Sequence, residues 1–73
     1  GAYVIIPAVN GNNILEIYPS AELLLPYYRK QDFLILGIGL GYFEALEVAR
    51  QIVDDMYKKT GGFDLAEFLE EQA

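Results

Sequence analysis

The sequence predicts an α+β domain in two layers, ββαβα, with one long helix over a small three-stranded sheet and a short C-terminal helix. Three observations predict it. Apolar residues recur at steps of three and four from Tyr42 to Tyr57, as one buried helical stripe requires. An unbroken apolar run, Phe33 to Ile38, precedes that stripe. Two segments rich in β-branched and aromatic residues, Ala2–Val9 and Ile14–Tyr18, flank an Asn-Gly turn.

In chain order, Ala2–Val9 (AYVIIPAV) is the first strand. Pro7 lacks a ladder donor and so belongs at an edge, a bulge or the strand's exit. Asn10-Gly11-Asn12-Asn13 turns the chain into Ile14–Tyr18 (ILEIY), with Glu16 toward solvent, and the pair forms a hairpin. Pro19-Ser20 ends the second strand. Ser20 caps a short helix through Ala21–Leu25, which Pro26 limits. The connection through Tyr27–Gln31 is long enough for a crossover, which sets the third strand parallel to the second. The simplest sheet order is then 2-1-3, and 1-2-3 is the other arrangement.

Phe33–Ile38 (FLILGI) is the third strand. Both of its faces are apolar, which predicts an interior strand or one buried at an interface. Gly37, Gly39 and Gly41 then let the chain turn tightly into the long helix at Gly41 or Tyr42. Its apolar positions are Tyr42, Phe43, Ala45, Leu46, Ala49, Ile52, Val53, Met56 and Tyr57. Glu44 and Glu47 lie early and Lys58 and Lys59 late, as the helix dipole favours. Asp54 with Lys58 and Asp55 with Lys59 are i,i+4 pairs, and Gly61 or Gly62 supplies a left-handed cap. Phe63 is an anchor, Asp64 an N-cap with Glu67 at its third helical position, and Leu65, Ala66, Phe68 and Leu69 face inward.

A chain of 73 residues forms one domain, and a core of that size is marginal without outside support. It has no Cys and no His, which excludes disulfides and ordinary zinc sites. With 53% hydrophobic residues, six Tyr and four Phe, the expected support is self-association, a homodimer or another protein partner. A net charge of -6 opposes binding to nucleic acid and to anionic membranes. The longest uncharged apolar stretch, Phe33–Phe43, is about half the ~20 residues of a spanning helix. No secretory signal pattern opens the chain, Gly1 reads as a trimmed end, and a cytoplasmic location is expected.

Few residues can carry chemistry. Ser20 and Thr60 are the only hydroxyl nucleophiles of Ser/Thr type, and no base of the His kind accompanies them. Glu44 with Glu47, and Glu67 with Glu70 and Glu71, fall on polar helix faces, where solvated carboxylates are expected rather than an acid–base pair. No metal, cofactor or enzymatic activity is expected. Tyr27, Tyr28, Arg29, Phe33 and Ile35 are the expected protein interface, since Tyr and Arg dominate such contacts.

Locally, LILGIGLGYFEAL resembles the glycine-rich first motif of S-adenosylmethionine-dependent methyltransferases, over about a dozen residues. That resemblance implies a small ligand or nucleotide at Gly37, Gly39, Gly41 and Tyr42, beside Glu44, held by helix N–H groups. The pattern departs from the dinucleotide fingerprint G-x-G-x-x-G because Gly41 comes one residue early. No later strand supplies a ribose-binding carboxylate. The leading expectation is therefore a non-enzymatic interaction module, with ligand binding at this turn as the alternative.

Overall fold

The computed structural model describes residues 1–8, 13–24 and 34–72, except the side chain of Leu24. The Asn-Gly turn, Pro26, the Tyr27–Gln31 connection and Phe33 lie outside the described residues. Three strands form one sheet: β1 (Ala2–Pro7), β2 (Leu15–Pro19) and β3 (Gly37–Leu40), in the order β2-β1-β3. β1 is antiparallel to both neighbours, so β2 and β3 run parallel to each other, as expected. A 3-10 helix, Ser20–Leu24, follows β2 and packs against β1 and β2. Helix α1 spans Tyr42–Thr60 and helix α2 spans Leu65–Gln72.

The register fixes which side chains meet α1. Tyr3 pairs with Gly39 and Pro19, and Ile5 with Gly37 and Ile17, so these residues share one face. Val4 pairs with Ile38 and Tyr18, and Ala2 with Leu40, on the other. Ile5 and Ile6 point to opposite faces and are both fully buried. The strand covered on both sides is thus β1, whereas Leu34, Ile35 and Ile38 of the later apolar run are exposed. β1 lies in the middle, and Pro7 is its last residue, where a missing donor costs least.

The third strand needs two corrections. It begins at Gly37 rather than Phe33, and within this sheet it is not interior but lies at the edge, as the 2-1-3 order expected from the sequence requires. Leu36 still donates its N–H to the Ile5 carbonyl at 2.8 Å, so the chain joins the sheet just before β3. The physical reason lies in the glycines. A Cβ on Gly39 would overlap the backbone N and Cα of Ala45, and one on Gly37 would sit 2.7 Å from Val48 Cγ1. Both glycines belong to the strand because α1 rests directly on its backbone. Only Gly41 turns the chain: it has φ 86° and donates its N–H to the Gly1 carbonyl at 3.0 Å.

The helix ends follow the sequence closely. Gly61 adopts the left-handed cap with φ 76°, and its N–H reaches the Tyr57 carbonyl at 2.8 Å. Lys58–Asp54 and Lys59–Asp55 form at 2.9 and 3.3 Å. Asp64 caps α2 through Oδ1, which accepts the Glu67 N–H at 3.2 Å. The core between α1, α2 and the sheet centres on Ile5, Ala45, Met56 and Phe68.

Candidate functional site

Among the described residues two apolar surfaces are exposed on this frame. The first belongs to β3. Alternation along the strand sends Gly37 and Gly39 toward α1 and turns Ile38 and Leu40 to the far face, where they are 59% and 75% exposed. The Gly41–Gly1 bond sets the hydrogen-bonding phase with β1. Gly39 and Gly37 share that phase, so the peptide groups of Ile38 and Leu40 point outward along the edge away from β1, which has no partner among the described residues. Leu34 and Ile35, just before the strand, are exposed as well. From Leu34 to Phe43 the chain carries no charge.

The second surface lies between α1 and β2. Helix α1 sits over β3, and its contact with β2 is much the slighter. Leu15 and Ile17 of β2 face the helix side but are only half-buried. Beside them rise Phe43, Leu46, Val53 and Tyr57 of α1, and Phe63 closes one end by stacking on Tyr57 with ring centroids 5.3 Å apart. The trough so formed holds about 940 Å³. Phe43 is 84% exposed. The apolar stripe of α1 was expected to be buried as a whole. Its helical spacing is right, but α1 is seated toward β3 rather than centred on the sheet, and Tyr42, Phe43, Leu46 and Tyr57 stay exposed. Val48, absent from the expected stripe, instead fits beneath the helix at Gly37.

The expected site residues are dispersed. Gly37 and Gly39 lie under α1, and the space a ligand would need there holds Val48, Ile52 and Ala45. Gly41 is the N-cap and makes no side-chain cap hydrogen bond. Tyr42 packs edge-on against Tyr3, with centroids 5.7 Å apart. Ile35 is exposed near the β3 edge, while Tyr27, Tyr28, Arg29 and Phe33 lie outside the described residues.

The electrostatics are those of a surface. Arg50 grips Glu47 with Nε at 2.9 Å and Nη2 at 2.7 Å. That hydrogen bonding lowers the Glu47 pKa and raises that of Arg50. The hydrogen bond to Asp54 raises Lys58 in the same way. Among the described residues no polar or charged side chain is buried, and no three His, Cys, Asp or Glu residues gather as a metal site would need. No protein-family model matches the chain, and neither a curated protein nor a solved structure is significantly similar to it.

Proposed function

We propose that this chain is a non-catalytic interaction module that self-associates through the outer edge of β3. The observation that carries the reading is a strand edge with no partner among the described residues, together with exposed Ile38 and Leu40 in an uncharged run. An open edge is a template for another strand, and proteins usually blunt it with Lys, Pro or a bulge. The Leu34–Phe43 run holds no Lys, Arg, Asp, Glu or Pro. The other edge, β2, does hold such residues: Glu16 lies within it and Pro19 ends it. Two β3 edges meeting about a two-fold axis would form one six-stranded sheet and cover both Ile38 and Leu40 pairs. The acidic surface and the lack of Cys suit a cytoplasmic setting. Among the described residues no helix is long and apolar enough to cross a membrane.

Native mass spectrometry with light scattering tests this over a range of protein concentrations. The wild-type chain should run as a dimer at micromolar concentration. Ile38→Lys places a charge on the edge at an exposed site, so it should give a monomer with an unchanged circular dichroism spectrum. A wild-type chain that stays monomeric up to the solubility limit refutes the reading.

A further inference from the structure

The trough over β2 has the dimensions of a missing helix. A helix with its side chains is ~10–12 Å across and strands lie ~4.8 Å apart, so one helix covers about two strands. With α1 seated on β3, the strip above β2 stays open, floored by Leu15 and Ile17. Its wall runs along α1 from Phe43 through Leu46 and Val53 to Tyr57, a length of ~21 Å at 1.5 Å per residue, or about four helical turns. We propose that this trough docks an amphipathic helix of a different protein, one carrying Lys or Arg along the edge that faces α1.

A second copy of this chain suits the trough poorly. If α1 of one copy lay in the trough of another about a two-fold axis, each α1 would turn its outer face onto the other sheet. That face carries Glu47, Gln51, Asp54 and Lys58, which would be stripped of water against Leu15 and Ile17. α2 of a second copy would bring Glu67, Glu70 and Glu71 toward Glu47 and Asp54. A basic partner meets the opposite situation. Among the described residues the charged groups lining the wall are Glu47, Asp54 and Arg50, with Lys58 bonded to Asp54, on a chain of net charge -6. The Glu47–Arg50 and Asp54–Lys58 pairs are solvent-exposed, so they hold the carboxylates only weakly and can exchange for cations of the incoming helix. Leu46, Val53 and Phe43 then supply the spaced apolar contacts that a helix in a groove uses.

The test uses two labelled model helices of about 16 residues, enough for roughly four turns. One has a Leu/Lys amphipathic pattern and the other the same pattern in Leu/Glu. Fluorescence anisotropy follows their binding to the full chain. The Leu/Lys helix should bind one to one, and the Leu/Glu helix at least about tenfold more weakly, a difference of ~1.4 kcal/mol. Leu46→Glu and Phe43→Glu should each weaken the Leu/Lys helix by about tenfold or more, although both make the protein more acidic. Phe43 is exposed enough that its substitution leaves the fold intact. Equal or tighter binding by these two variants would reduce the interaction to bulk charge and overturn the proposal. So would equal binding of the two model helices, or no binding of the Leu/Lys helix. Ile38→Lys, at the opposite edge of the sheet, should leave helix binding unchanged, which separates this proposal from the self-association one.

Discussion

Gly39→Ala should be among the most damaging small substitutions in the chain. The added methyl would sit 2.9 Å from Ala45 Cβ and closer still to that residue's backbone N and Cα. Carbon atoms in good contact lie ~3.5–4.0 Å apart, so α1 must lift off β3 by about 1 Å. Overpacking typically costs about 1–3 kcal/mol, and an unyielding backbone puts this site at the upper end, ~3 kcal/mol. A chain of this length has a total stability of only about 4–11 kcal/mol. At ~4–8 °C per kcal/mol for a small domain, Tm should fall by about 12–24 °C. Thermal unfolding followed by far-UV circular dichroism measures this directly. Gly37→Ala is the internal comparison. Its methyl meets Val48 Cγ1 at 2.7 Å and Ile52 Cδ1 at 3.3 Å, which are side-chain ends that can move. It should cost ~1–2 kcal/mol, and Val48→Ala in the same chain should recover part of that loss. Ala45→Gly should give Gly39→Ala no such relief, because the backbone overlap remains. A Tm loss below about 4 °C for Gly39→Ala, or rescue by Ala45→Gly, would refute the close seating of α1 on β3.

Three further outcomes follow from the same structure. Met56→Ala empties a fully buried position beneath α1 and should cost about 2–5 kcal/mol in chemical denaturation. Gly61→Ala forces a side chain into the left-handed cap and should cost ~1 kcal/mol, read as a shift in denaturation midpoint, while Gly62→Ala, with open space around it, should cost far less. The folded Glu47 pKa is lowered, so its contribution is present above the ordinary carboxylate pKa and is lost as pH falls through the folded value. Stability of the wild type and Glu47→Gln, measured against pH, should therefore differ slightly at neutral pH and converge in acid. Added salt should narrow the neutral difference.

What the sequence made legible was set by short-range chemistry. α1 was readable end to end because its period, its charge placement and its glycine cap all speak within one turn of each residue. Asp64 and the β1–β2 hairpin were readable for the same reason. β3 was displaced because glycine is ambiguous. Gly37 and Gly39 look like turn residues along the chain, but their spacing of two puts both on one strand face under Ala45 and Val48. The apolar run ahead of them looked like the buried strand, whereas AYVII, with its neighbours on both sides, is the one the sheet encloses. The trough was not legible either. An apolar stripe tells which side of a helix prefers cover, but only the lateral position of α1 on the sheet decides how much of that stripe receives it. The glycines contained that signal, since two positions without side chains mark where a helix can come closest.

The sheet order also sets a sequence of events during synthesis. The hairpin of β1 and β2 is complete once Pro19 has left the ribosome, yet β3, the strand that closes the other side of β1, begins only at Gly37. Until β3 and α1 emerge, Ile5 and Ile17 present a bare apolar surface with one side of β1 unpaired. The nascent protein therefore passes through an interval in which its central strand can be captured by any extended segment nearby, and prompt sheltering by a chaperone would favour correct closure.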